Sequence, residues 1–492
     1  MFPSFLSAII ALPLVGAVII TLLSKENAKG IKLAAAFFTL VDLIASLVLW
    51  AQFDPGRGGP QFVEHAPWIP SLGISIHFGV DGLSLPMIVL TTLLSLVAVI
   101  SSWNVSLRPK EYFALLLVLE TAILGVFSSL DLVVFFLFWE LELLPMFLLI
   151  GIWGGARREY AAFKFVLYTF VGSGLMLVGI LALYFNSGLE PRTFDMLALE
   201  GANFPVGAFQ SVAFLLLFFG FAVKLPVFPF HTWLPDAHVE APTSVSIILA
   251  GVLLKMGGYG MLRVLLGLLP EATAQFAFAL GVLAVINVLY GAAVSMVQRD
   301  LKSMVAYSSI SHMGYVLLGL AALTTVSLNG AVLQMFSHGA ITGLLFLLVG
   351  LVYDKAHTRQ IPELGGLAER MPLLAVAFSA AGLASLGLPG MSGFVAEFTV
   401  FVGSFASQGP GMQILTILAA AGIVITAGYI LWMLQRVFMG PLVPSQAKVA
   451  DARAFEMVPV AALLAVVFLV GLYPSVITGV IGSGVAPLLP GQ

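Results

Sequence analysis

Charge is scarce in this sequence. Only 9% of its 492 residues are Asp, Glu, Lys or Arg, whereas 60% are apolar, and the mean hydropathy is +1.08. Soluble domains carry about a quarter charged residues, so the composition excludes a soluble globular enzyme, a nucleic-acid binder and a disordered chain. Cysteine is absent altogether. That excludes thiolate catalysis, disulfides and cysteine-ligated iron–sulfur clusters on this chain. The net charge of −3 is too small to point to a partner. No cleavable signal peptide is evident: the first apolar stretch is long enough to span a membrane, and the residues after it (24–29) lack the usual small-residue cleavage pattern.

Long apolar runs are what the chain does have. A spanning helix needs roughly 20 apolar residues, and about fourteen such stretches fit: 2–23, 31–51, 84–103, 112–129, 131–151, 161–186, 211–226, 243–266, 273–297, 302–324, 328–352, 372–407, 411–438 and 455–480. Two longer connections, 52–83 and 187–210, hold Pro, Gly and acidic residues. No linker marks off a soluble unit, so 1–492 reads as one membrane domain. Grouping alternate loops puts sixteen of the 21 Lys and Arg residues on one side and only Arg57, Arg192 and Arg263 on the other. Lys224 and Lys255 fall within spans. The positive-inside rule makes the crowded side cytoplasmic (or stromal), with both termini on the opposite side.

Two spans carry internal breakers. Lys224-Leu225-Pro226-Val227-Phe228-Pro229 interrupts the seventh, and Leu386-Gly387-Leu388-Pro389-Gly390 the twelfth. Proline removes a backbone donor and clashes with the preceding turn. Such breaks survive in lipid only where protein or a hydrated cavity satisfies the freed groups. They lie five helices apart, an odd number, so the second would be inverted relative to the first. Paired broken helices in inverted halves are a recurrent sign of an ion pathway. The expected architecture is therefore an all-α polytopic domain with two inverted five-helix repeats, helices 4–8 (112–266) and 9–13 (273–438).

Ionisable groups in mid-membrane cost several kcal/mol and are functional candidates by default. At about 1.5 Å per residue, Glu140, Lys224, Lys255, His312, His338 and Glu397 all lie roughly 14–20 Å deep. Snorkelling keeps charges near helix ends, so a row at one depth needs another explanation. Lysine releases its proton more readily than arginine, histidine titrates near neutrality, and a glutamate beside a lysine holds its charge until the two separate. This reads as a gate, Glu140 with Lys224, followed by the relays Lys255, His312 and His338 and a terminus at Glu397. Tyr307, Ser308, Ser309 and Ser311 offer hydroxyls for bridging water.

Plainer readings stand beside these. A buried Lys–Glu pair can simply hold two helices together, and His338 can be a packing histidine. Glu142, two residues from Glu140, points to another side of its helix and reads as structural or interfacial. Asp42 and Glu120 read as facing neighbouring helices or another subunit. His231, Asp236, His238 and Glu240 resemble a metal set, but their Pro- and Trp-rich surroundings favour capping or a cavity mouth. Gly172-Ser173-Gly174 reads as close helix packing and not as a nucleotide loop.

Several motifs make the chain resemble a known family. They are Phe138-Trp139-Glu140-Leu141-Glu142-Leu143-Leu144-Pro145 with Trp153-Gly154-Gly155, Lys224-Leu225-Pro226 through His231-Thr232-Trp233-Leu234-Pro235-Asp236-Ala237-His238, Ala241-Pro242-Thr243, Leu254 to Gly260, Asp300-Leu301-Lys302, Ala306 to Gly314, and Gly393-Phe394 to Phe398. Together they are similar to the antiporter-like subunits of respiratory complex I. Within these the resemblance is to the subunit M group, which includes subunit 4 of mitochondria and its counterpart in the cyanobacterial and plastid enzyme. Phe78-Gly79-Val80-Asp81-Gly82-Leu83-Ser84 fits the same group. The related subunit L carries a long lateral helix after its spans, whereas the last span here lies close to Gln492.

The resemblance implies proton translocation driven by distant electron transfer to quinone. The matches to Glu140 and Lys224 would form the coupling pair, those to Lys255, His312 and His338 the relay, and that to Glu397 the second half-channel. It also implies no cofactor or metal on this chain. NAD(H) or ferredoxin, FMN, iron–sulfur clusters and quinone would lie elsewhere in the complex. Expected partners are the antiporter-like subunits L and N, small membrane subunits, the lipid bilayer and protons, with no nucleic acid. The expected location is a bacterial inner membrane or a cyanobacterial thylakoid. A subunit of a multi-subunit Na⁺/H⁺ antiporter or membrane-bound hydrogenase, and a passive scaffold subunit, remain as alternatives.

Overall fold

The computed structural model describes residues 4–489. Most of them are helical, and twelve helices among them are long and apolar enough to cross a membrane. In chain order the first elements are α1 (Phe5–Leu22), α2 (Ala28–Gln52), β1 (Gln61–Ile69), β2 (Ile74–Val80), α3 (Ser84–Ser101) and α4 (Pro109–Ser128). There follow α5 (Leu132–Leu141), α6 (Leu143–Trp153), α7 (Arg158–Asn186), α8 (Met196–Glu200), α9 (Ala208–Lys224) and α10 (Trp233–Glu240). Next come α11 (Thr243–Leu266), α12 (Pro270–Met296), α13 (Leu301–Ala321) and α14 (Thr325–Ala356). The last are α15 (Pro372–Ser385), α16 (Ser392–Phe405), α17 (Met412–Phe438), α18 (Ala454–Leu472) and α19 (Ser475–Val485).

Burial sorts the helices by polarity. The polar side chains of α11, α13 and α14 need protein around them, and these helices are buried along all or nearly all of their length. By contrast α1, α2, α7, α12, α17 and α18 turn most of their apolar surface outward, as lipid-facing helices must. The helix starts are written in polar residues: the carboxylate of Asp131 accepts from Val133 and Val134 N–H, that of Asp300 from Lys302 and Ser303, and Thr324 forms a capping box with Ser327.

One end of the bundle is laced together by its basic residues. Lys32 donates to the Trp103 carbonyl, Lys110 to that of Leu23, Lys164 to Asp236, Lys355 to Glu456 and Arg359 to Asp300. At the other end β1 and β2 form an antiparallel hairpin, which the apolar-run reading treats only as a polar connection. Its turn is tied to the segment before α8, where Phe194 N–H and Thr193 Oγ1 both donate to the Gly73 carbonyl. Below them Asp131 Oδ2 accepts from Ser75 N–H at 3.0 Å, joining β2 to the start of α5. Burial works to raise the Asp195 carboxyl, yet the His77 hydrogen bond and charge, with the Ala198 and Leu197 N–H groups, hold it below the usual carboxylate value.

Other boundaries differ as well. The fourteenth expected span (455–480) is two helices, since Pro474 cannot continue α18. Arg263, grouped with the outer loops from its sequence position, lies inside α11, buried and paired with Asp81. Asp42 and Glu120 do face neighbouring helices, as expected: both are fully buried where α2, α3 and α4 pack. The first two residues of the expected span 2–23 lie outside the described residues.

Candidate functional site

The first break is built around Lys224, the last residue of α9. After it the chain leaves helical geometry until α10, and side chains from elsewhere satisfy the freed backbone groups. Asn287 of α12 accepts from Phe228 N–H at 2.7 Å through Oδ1 and donates from Nδ2 to the Pro226 carbonyl at 3.1 Å. Trp233 Nε1 donates to the Val223 carbonyl at 2.9 Å. Gly257 of α11 lets that helix sit directly on the break. A Cβ there would lie 2.6 Å from Leu225 N and 2.7 Å from the Phe221 carbonyl oxygen.

The partner of Lys224 is Glu142, not Glu140. The Lys224 ammonium donates to Glu142 Oε1, and both side chains are buried. The ammonium also lies 5.3 Å from the centre of the Trp139 ring and 5.5 Å from that of Phe165. The reason for the exchange is geometric. The backbone stays in the helical region through Glu142, so the two carboxylates point about 200° apart around one helix, and Glu142 is the one that faces Lys224. Glu140 is half-buried, with Oε1 enclosed and unpartnered. It shares a helix face with Leu137, Leu141 and Leu144, all exposed.

The second group is contiguous. Lys255 sits in α11 between two wide, π-helical turns, 249–253 and 261–266, a distortion that frees backbone groups inside a helix. Its ammonium donates to the Ala250 carbonyl and lies 2.8 Å from His338 Nδ1 on α14. The rings of His338 and His312 (on α13) are 5.4 Å apart between centres. His312 Nδ1 lies 3.1 Å from Glu397 Oε1 on α16, and its Nε2 lies 3.2 Å from Ser385 Oγ at the end of α15. Gln334 completes the surroundings at 3.5 Å. Between His312, His338, Ser385 and Glu397 is a cavity of about 10 Å³, room for roughly one water. The second break borders it: Gly387, at φ +79°, lies against Glu397, where a Cβ would be 3.0 Å from Oε2.

The structure thus joins Lys255, His338, His312 and Glu397, and separately joins Lys224 to Glu142. No side-chain hydrogen bond among the described residues links Lys224 to Lys255. Of the hydroxyls expected to hold water, Ser308 and Ser309 donate to the Val305 carbonyl and Ser311 to that of Val288, so these three can meet a water only as acceptors. His231, Asp236, His238 and Glu240 do not converge on a common point. Asp236 pairs with Lys164 at 2.7 Å, Glu240 Oε2 accepts from Arg157 N–H at 3.0 Å, and His238 stacks on Phe346. Glu142, Asn287, Gln334 and Ser385 were not singled out as site residues by sequence reasoning. For Asn287 and Gln334 the signal was present, an amide well inside an apolar helix.

Comparison with known proteins adds an independent view. Residues 129–426 match the family model described as NADH:quinone oxidoreductase/Mrp antiporter, TM. The chain is 44% identical to NADH-quinone oxidoreductase subunit M of Rhodobacter capsulatus, over 99% of this chain and 96% of that one. It is 45% identical to NAD(P)H-quinone oxidoreductase chain 4 of Gloeobacter violaceus, over 97% and 91%. Among solved structures, a chain of respiratory complex I from Thermus thermophilus with bound NADH superposes with a TM-score of 0.89, at 30% identity, over 99% of this chain and 100% of that one.

Proposed function

The chain belongs to the NADH:quinone oxidoreductase/Mrp antiporter transmembrane family, and from that premise we propose that it carries protons across the membrane as the antiporter-like subunit of a quinone-reducing complex. The observation that carries the reading is the unbroken contact series Lys255–His338–His312–Glu397, drawn from four helices and ending beside a broken one. Each member exchanges protons, and adjacent members are within bonding or stacking distance.

Lys224 and Glu142 form the loading end. A carboxylate beside a lysine holds the proton on it; withdrawing the carboxylate releases it. Glu140, on the exposed Leu137–Leu144 face, is where a neighbouring subunit would act on that pair. The proton then passes to Lys255 and by way of His338 and His312 to Glu397. Moving one charge against the membrane potential takes about 2.3 kcal/mol per 100 mV, and one to two pKa units at 1.36 kcal/mol each match that scale.

The topology that goes with this reading has fourteen crossings, counting α9–α10 and α15–α16 as one broken crossing each. The inverted repeats are 112–266 and 273–438, and both termini are non-cytoplasmic, on the hairpin side. The redox chemistry belongs to other subunits. NAD(H) or ferredoxin, FMN, iron–sulfur clusters and quinone are placed there, with antiporter-like subunits L and N as membrane neighbours.

The decisive experiment reconstitutes the assembled complex in vesicles with Lys224→Ala or Lys255→Ala. Quinone reduction should continue at a reduced rate while fewer protons are pumped per quinone reduced. Wild-type pumping by Lys255→Ala would overturn the relay. A complex that fails to assemble while its assembled fraction pumps normally would mark a scaffold instead.

A further inference from the structure

Three side chains at the hairpin end of the bundle take no part in the belt and converge on one point. His65 and His77 are direct partners in the register of β1 and β2. Their rings stand nearly perpendicular (86°) with centres 4.9 Å apart. Asp195 arrives from a segment more than a hundred residues away, its Oδ2 2.8 Å from His77 Nδ1. One ligand atom from each of the three lies within 4.8 Å of the other two.

The surrounding backbone fixes this arrangement in advance. Asp195 Oδ1 accepts from Leu197 and Ala198 N–H at 2.9 and 3.2 Å, which pins the carboxylate and leaves Oδ2 aimed at the histidines. On either side of it Leu132 N–H donates to the Phe194 carbonyl and Met196 N–H to that of Leu130, locking the segment to the start of α5. A pair that served only to pin the hairpin would need His77 and Asp195 alone. His65 adds a third donor atom, exposed to solvent, directly across the ladder. Only seven histidines occur in the chain, and two of them face each other here.

We propose that His65, His77 and Asp195 form a binding site for a divalent metal ion of the zinc class, which clamps the β1–β2 hairpin to the α7–α9 connection. Two imidazoles and one carboxylate with an open fourth position suit such an ion, whereas calcium and magnesium favour oxygen ligands. Donors on a tetrahedral zinc stand roughly 3.4 Å apart, so closure needs a shift of about an ångström, which the exposed His65 side chain supplies by rotation. The capping N–H groups on Asp195 are the outer support that metal-bound carboxylates usually have. The clamp would stiffen the outer end of α5, the helix that leads to Glu140 and Glu142.

The test uses the purified, chelator-treated complex, titrated with Zn²⁺ by calorimetry and followed by hydrogen exchange and mass spectrometry. The wild type should bind one Zn²⁺ more per complex than His65→Ala, or bind it at least tenfold more tightly. Zn²⁺ should slow amide exchange several-fold in residues 61–80 and 193–198 of the wild type and of His65→Asp, but not of His65→Ala. His65 lies outside the proton route, so quinone reduction without added metal should be the same in all three. Equal Zn²⁺ binding by wild type and His65→Ala overturns the site, as does exchange in these segments that ignores Zn²⁺.

Discussion

Glu140 and Glu142 differ by two positions and by everything that surrounds them. Glu142 is sealed against the Lys224 ammonium, while Glu140 sits at the rim of an exposed apolar face. Removing one member of a buried ion pair strands the other, at a cost of about 3–5 kcal/mol. Glu142→Ala should therefore lower the thermal stability of the subunit within the complex by about 3 kcal/mol, and Glu140→Ala by less than about 1 kcal/mol. Pumping per quinone should fall in both. Thermal scans of the purified complex, read beside vesicle pumping, separate the two roles, and equal destabilisation would erase the distinction. The same logic applies to Arg263, whose loss strands Asp81: Arg263→Ala should destabilise by a similar amount without touching the belt. The sequence could show that a glutamate in this stretch would meet Lys224. Which one does so depends on how this helix is rotated against α9, and an apolar run on both sides of the pair gives no sign of that rotation.

At the scale of the element, the two broken helices were legible from their prolines and glycines, because the backbone chemistry that breaks a helix is local. What repairs them was not. Asn287 is remote in sequence from both groups it satisfies, and only the fold brings it there. Asn287→Ala would leave an N–H and a carbonyl unpaired in the membrane, at about 1–3 kcal/mol for each unmet group. Thermal scans should show that loss, with pumping reduced because Lys224 is no longer held in place. Gly257→Ala pushes against backbone atoms of Phe221 and Leu225, which cannot swing aside. It should separate α11 from the end of α9 and uncouple pumping from quinone reduction more than it slows reduction itself. The hairpin escaped the sequence reading for a physical reason too. Bulges between Gln61 and Glu64 and between Pro67 and Ile69 break the alternation that marks a strand. The split of the last span had its own local sign, Pro474, which a reading by apolar length alone runs through.

For the whole molecule, the proposed sidedness can be read out directly because the chain has no cysteine of its own. Single cysteines at Arg57 and Arg370 should react with an impermeant maleimide from opposite faces of sealed vesicles, position 370 from the face that carries the basic loops. Labelling of both from one face would refute the alternation of spans. The arrangement of the belt also bears on what the subunit does when idle. Its middle section is side chain against side chain, with space beside Glu397 for about one water. A coupling membrane holds voltage only if nothing short-circuits it, and a continuous thread of liquid would do so. A tightly packed wire insulates by default and conducts only when its parts are made to move.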